Sequence, residues 1–239
     1  MFGSIADLFN KAFRKLNSKQ ILDIDTNYLY LLESNHSLRK HREYKFKANT
    51  ESDYTEALAM FVEVLKIKPK HVLSIEFSAI CKASLGNYSE AIEDYSKAIE
   101  IDPKLTFPYI GRGYAKSKLK DYQGAVDDYT KAIEIDLKYA NAYHNRGSAK
   151  FFLKDYQGAI EDYTKAIEIG PKYATAYYNI GNAKSNLKDY SGAIEDYSKA
   201  IEIDPEYANA FYSRGYAKSE FKDYQGAIED YTKAIEIDP

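Results

Sequence analysis

The chain has 239 residues, with 33 Lys and Arg against 36 Asp and Glu, for a formal net charge of −3. That charge is too mild for a general nucleic-acid binder or an acidic solvating tail. Apolar residues make up 45%, enough for a core, yet no run approaches the ~18 consecutive apolar residues of a spanning helix. The single cysteine, Cys81, permits no internal disulfide, and no apolar secretory segment follows Met1, so the cytoplasm is the expected compartment.

Residues 1–37 stand outside any repeat. Ile5, Leu8, Phe9, Ala12, Phe13 and Leu16 form one apolar stripe flanked by Lys11, Arg14, Lys15 and Lys19, which predicts an amphipathic helix. Residues 1–50 carry nine Lys and Arg against five Asp and Glu, so this end is +4 and the remainder −7. The expected role of 1–37 is a cap over the first repeat, because repeat arrays need covered ends. Attachment to an anionic membrane surface through the same basic helix is an alternative. Nucleic acid is not an expected partner, since charge without a motif supports only weak nonspecific binding.

From residue 38 the sequence repeats. Asp-Tyr recurs at Asp121-Tyr122, Asp155-Tyr156, Asp189-Tyr190 and Asp223-Tyr224, each 34 residues after the last, and the frame extends back to Asn87-Tyr88 and Asp53-Tyr54. Six units follow: 38–71, 72–105, 106–139, 140–173, 174–207 and 208–239. Within 140–173, apolar and small residues recur at helical spacing over 140–153 and again over 156–169, with Lys154-Asp155 between them, which predicts a helical hairpin. Asp155, like Asp121, Asp189 and Asp223, can cap the second helix, and Pro171 follows where that helix must stop. A coiled coil is excluded by a break in every 34 residues.

Tyr143-x-x-Arg146-Gly147, then Ala159-x-x-x-Tyr163, then Pro171 resembles the tetratricopeptide repeat. The pattern recurs as Tyr177/Gly181/Ala193/Tyr197/Pro205 and Phe211/Gly215/Ala227/Tyr231/Pro239, and drifts in earlier units; 38–71 keeps Ala57, Phe61 and Pro69 but has Lys45 in place of glycine. The resemblance, strongest to bacterial tandem arrays, implies an all-α fold: an α-solenoid of stacked antiparallel hairpins in a right-handed superhelix, with an inner groove lined by each unit's first helix. It also implies a noncatalytic scaffold that binds an extended peptide or helix of another protein. The residues support the packing independently. Gly147 and Ala159 are small enough to let two helices approach, and Tyr163, Ala166 and Ile160 can fill the seam.

Charged residues recur on the faces that meet. Lys82, Lys116, Lys150, Lys184 and Lys218 fall beside the seam on first helices, joined by Arg112, Arg146 and Arg214, and opposite them stand Asp94, Asp128, Asp162, Asp196 and Asp230. Lys–Asp pairs within five hairpins are expected, joined by arginine in three.

The open face of the first helices supplies the candidate groove. It holds Phe107, Gly111, Tyr114 and Lys118; Asn141, Asn145, Ser148 and Phe152; Thr175, Asn179, Asn182 and Asn186; and Asn209, Ser213, Tyr216 and Glu220. Ile110, His144, Tyr178 and Tyr212 flank it. The face is aromatic and amide-rich, suited to an extended peptide. Family members that capture acidic chaperone tails resemble one another in a basic clamp, whose places here hold Asn141, Thr175, Asn209, Ile110, His144 and Tyr178, so such a tail is not the expected ligand.

The last hairpin leaves Ile228 and Tyr231 without a following unit, which makes weak self-association through that hairpin, and a spacer role, an alternative. No catalytic, metal or cofactor site is expected. His36, His41, His71 and His144 lack metal-site spacing, Cys81 occupies a small packing place, and the glycines recur as packing positions rather than as a phosphate loop.

Overall fold

The structure, a computed structural model, describes residues 51–170 and 174–238. The expected cap over 1–37, with Lys45 and the opening of the first unit, lies outside the described residues. Helices account for the order throughout: α1 (Glu51–Ile67), α2 (Val72–Ser84), α3 (Tyr88–Ile101), α4 (Thr106–Lys118), α5 (Tyr122–Ile135), α6 (Ala140–Phe152), α7 (Tyr156–Ile169), α8 (Ala174–Asn186), α9 (Tyr190–Ile203), α10 (Ala208–Glu220) and α11 (Tyr224–Ile237). No strand occurs among the described residues. No helix among them is long and apolar enough to cross a membrane.

The chain divides into two compact units, Met1–Pro103 and Lys104–Pro239. In the first, α2 packs against both α1 and α3. Phe61 of α1 stacks on Phe77 of α2 with ring centroids 5.3 Å apart, over the buried Ala57 and Cys81. Burial pushes the Cys81 thiol up to about 12, so the group is a packed apolar filler rather than a thiolate.

In the second unit each helix packs against the next from α4 to α11, and the first helices α4, α6, α8 and α10 also touch in sequence. The result is an α-solenoid whose row of first helices forms one continuous face. The seam inside each hairpin depends on a glycine opposite a tyrosine. A Cβ on Gly147 would lie 3.0 Å from the Tyr163 ring, and one on Gly181 would lie 2.6 Å from Tyr197. Tyr163 and Tyr197 are each 2% exposed. Only a bare backbone admits the ring at that depth.

The helix boundaries follow from local chemistry. Asp121, Asp155, Asp189 and Asp223 each accept a hydrogen bond, 3.0 Å, from the backbone N–H three residues on, capping α5, α7, α9 and α11. The donor is always glycine, and a Cβ there would collide with the cap carboxylate. Where Glu90 replaces that glycine, Asn87 makes no side-chain cap bond to α3. Each first helix among the described residues ends in a Schellman turn, as where Asp155 N–H donates to Lys150 O at 3.0 Å and Lys154 N–H to Phe151 O at 2.9 Å. The turn needs a left-handed residue. Gly86 supplies it at φ 83°, whereas Lys120, Lys154, Lys188 and Lys222 adopt φ 63° to 68° despite their side chains.

Candidate partner-binding face

The first helices are held in place by the expected ion pairs, all five of which form. Lys82–Asp94, Lys116–Asp128, Lys150–Asp162, Lys184–Asp196 and Lys218–Asp230 lie at 2.6 to 2.9 Å. The aspartates are 3–4% exposed. In three hairpins an arginine binds the same carboxylate through two bonds. Arg146 donates from Nε to Asp162 Oδ2 at 2.9 Å and from Nη2 to Oδ1 at 2.6 Å, and Arg112 and Arg214 repeat this on Asp128 and Asp230. The third guanidinium nitrogen reaches back one hairpin, from Arg146 to Thr130 Oγ1 at 3.1 Å and from Arg214 to Ser198 Oγ at 3.0 Å. Each of these two arginines thereby joins three helices.

Two hairpins lack the arginine, and the vacancy is filled differently. Ser78 and Ile180 stand in its place, and Lys97 and Lys199, from the second helix, turn onto Asp94 at 2.9 Å and Asp196 at 3.6 Å. In the arginine-bearing hairpins the equivalent Lys131, Lys165 and Lys233 pair instead with Glu134, Glu168 and Glu236. Burial works against the charged form of Asp94 and Asp230, but the surrounding cations overcome it and hold both carboxyls below the usual range.

With these cations engaged, the open face is left aromatic and polar. Tyr114 is exposed beneath the Lys118 ammonium, 5.3 Å from its ring centroid. Phe107 is half-buried beside it along α4, and Ile110 is buried. On α6, Asn141, His144 and Asn145 are half-buried, and Phe152 is exposed but stacks on Tyr122 at 4.8 Å. Ser148 accepts a hydrogen bond from the Tyr163 hydroxyl at 3.2 Å. His144 tilts against Tyr163 at 5.3 Å, and burial lowers its imidazole to about 4, so the ring is neutral at physiological pH.

On α8, Tyr178 lies between Tyr197 at 5.8 Å and Tyr207 at 5.0 Å, with Thr175 exposed and Asn179 half-buried on the same helix. Asn182 accepts from the Tyr197 hydroxyl at 2.8 Å, and Asn186 donates to the Asn182 carbonyl at 2.8 Å. On α10, Asn209, Tyr212 and Tyr216 are exposed. A pocket of about 180 Å³ opens between α8 and α10 and brings together Asn182, Asn186, Tyr212 and Tyr216. Phe151, Ser185, Tyr197 and Ser213 complete its wall. Phe151, Ser185 and Tyr197 are absent from the sequence-selected set. The available signal was the use of tyrosine rather than phenylalanine in the seam: a buried ring with a polar tip needs a partner, and Tyr197 finds it on the open face.

The far side of α11 is a second exposed apolar area. Tyr224, Ile228 and Ile235 are 62%, 60% and 65% exposed. Among the described residues no group of His, Cys, Asp or Glu could hold a metal ion.

Stacked two-helix modules, tied by buried charges and presenting a row of first helices, define a helical repeat protein. One tetratricopeptide repeat model matches residues 79–105, 174–207 and 208–239, and a second matches 108–139. A TPR repeat model matches 147–187. The chain belongs to the tetratricopeptide repeat family and is a protein-interaction scaffold. No curated protein matches it. Among solved structures, a MamA crystal structure is 29% identical with TM-score 0.64, covering 66% of this chain and 93% of that one. MamA from Desulfovibrio magneticus RS-1, residue 41 to its end, is 23% identical with TM-score 0.66, covering 70% and 94%. YrrB, described as a TPR protein with an unusual peptide-binding site, is 23% identical with TM-score 0.64, covering 75% and 92%.

Proposed function

We propose that the chain is a noncatalytic scaffold that binds an extended segment of another protein along the row α4, α6, α8 and α10. The pocket between α8 and α10 carries this reading: four rings and four uncharged polar side chains converge on a cleft with no charged residue in its wall. Such a surface packs apolar side chains and hydrogen-bonds a peptide backbone without charge selection. YrrB, similar in fold, carries a peptide-binding site, which is consistent with this use of the face. Tyr212 and Tyr216 are exposed, 61% and 47%, so replacing both with alanine should leave the helical circular dichroism unchanged. Peptides selected on the intact chain should lose affinity on that variant; undiminished binding refutes the groove reading.

The exposed Tyr224, Ile228 and Ile235 favour a second reading, self-association through α11. Sedimentation of the intact chain against Ile228→Glu tests it: a monomer in both, at high micromolar concentration, removes it.

A further inference from the structure

Equivalent positions at the end of each first helix in the second unit hold Lys118, Phe152, Asn186 and Glu220, in that order along the row. The row therefore has a positive end and a negative end with an uncharged middle. The seam cations of α8 and α10 are already committed: Lys184 to Asp196, and Arg214 and Lys218 to Asp230. Glu220 is exposed, makes no ion pair among the described residues, and lies one helical turn beyond Tyr216 beside the Tyr190 phenol. Lys118 makes no ion pair among them either, resting over Tyr114.

The pocket lies between these ends. Its volume of about 180 Å³ compares with the ~150 Å³ of an apolar cavity that accepts benzene. It is therefore sized for one side chain. An acidic side chain entering it would lose water and meet no cation in its wall.

Resting on the groove reading, we propose that the pocket seats one bulky uncharged side chain, leucine, phenylalanine or tyrosine, of an extended partner segment. The segment's basic flank lies toward Glu220 and its acidic flank toward Lys118. Burial of the anchor supplies most of the affinity, and its replacement by alanine in the peptide should weaken binding on the order of tenfold. The exposed charges set orientation and contribute less, about fivefold at low salt for each reversal, fading as salt rises.

The test selects random twelve-residue peptides on the intact chain and titrates synthetic copies of the recovered sequences. The expected peptides carry one Leu, Phe or Tyr with Lys or Arg on one side and Asp or Glu on the other. Glu220→Lys, which places on α10 the residue α4 already holds at the equivalent site, should weaken them about fivefold at low salt and shift a fresh selection toward an acidic residue on that side. Peptides without the apolar anchor, peptides carrying a carboxylate in its place, or indifference to Glu220→Lys overturn this proposal. If those peptides still lose affinity on the double Tyr212→Ala, Tyr216→Ala variant, the groove reading survives it. Peptides insensitive to that double variant, or no peptides at all, overturn both.

Discussion

The seam carboxylates permit a test of what a buried ion pair contributes, because two of the five hairpins lack the arginine that complicates the other three. In 174–207, Ile180 replaces it, and Asp196 is held by Lys184 at 2.6 Å and Lys199 at 3.6 Å, the lysine side chains being 26% and 52% exposed. Asp196→Ala leaves Lys184 half-desolvated beside an empty site. Breaking a fully buried pair costs about 3–5 kcal/mol, and because Lys184 can swing partly into water the expected loss is roughly 2 kcal/mol. Asp162→Ala strands two cations, Arg146 and Lys150, side chains 17% and 20% exposed, facing each other without the anion between them, so roughly 3 kcal/mol is expected. The double change Lys184→Met, Asp196→Leu removes both charges, keeps the volume, and should be close to neutral, since packed apolar substitutes match or exceed such pairs.

Repeat arrays unfold in parts, so the assay must be local. Hydrogen exchange at α8 and α9 amides reads the opening free energy of that hairpin, where 1.4 kcal/mol is tenfold in protection. Expected losses rank Asp162→Ala, read at α6 and α7, above Asp196→Ala, above the Met/Leu double variant. If the double variant loses as much protection as Asp196→Ala, the carboxylate is not a neutraliser of stranded charge and the reasoning fails.

Three further outcomes follow from separate features. Gly181→Ala gains about 1 kcal/mol of helix propensity but drives a methyl to 2.6 Å from the Tyr197 ring, an overpacking cost of about 1–3 kcal/mol; it should destabilise more than Gly147→Ala, whose contact is 3.0 Å, by urea midpoint. Lys154→Gly relieves a left-handed lysine at φ 65° and should raise the thermal midpoint or leave it unchanged, net gain up to about 1 kcal/mol, while Gly86→Lys should lower it. His144 titrates near 4 folded against about 6.5 unfolded. The unfolded chain then binds more protons between those values, and stability falls as pH drops from 6.5 to 4. His144→Tyr, the residue already present at Tyr178 and Tyr212, should reduce the slope of that limb in urea titrations, leaving the part supplied by His71, which burial and the Lys68 charge also lower. It should leave the loss below pH 4, where Asp94 and Asp230, held low in the fold, take up protons; an unchanged slope above pH 4 refutes the assignment.

The hairpins and their charge pairs were legible in the sequence because both are local or strictly periodic. Asp155 and Gly147 recur every 34 residues, and stepping round two helices is enough to bring Lys150 against Asp162. The two glycine series were not separable that way. Gly147 faces the Tyr163 ring and Gly158 clears the Asp155 cap, yet in sequence both are simply recurrent small residues. The pocket was half legible. Asn182, Asn186, Tyr212 and Tyr216 lie on a face that periodicity identifies, whereas Tyr197 belongs by periodicity to the seam and reaches the face only through its hydroxyl.

The exchange of lysine partners was invisible for a different reason: it is a competition, and competitions are decided by geometry. When arginine occupies Oδ1 of Asp128, Asp162 or Asp230, the lysine three residues further along the second helix is displaced to a glutamate one turn on. When Ser78 or Ile180 vacates that oxygen, the same lysine returns to it. A carboxylate 4% exposed holds its charge only if cations cover its oxygens, and the fold draws the second cation from whichever helix can supply it. Across the five hairpins the arginine position therefore varies while the aspartate and the first-helix lysine stay paired. Arg146→Ile should accordingly cost far less than Asp162→Ala, with Lys165 moving from Glu168 to Asp162; a lysine that stays with Glu168 would show that the aspartate does not require a second cation.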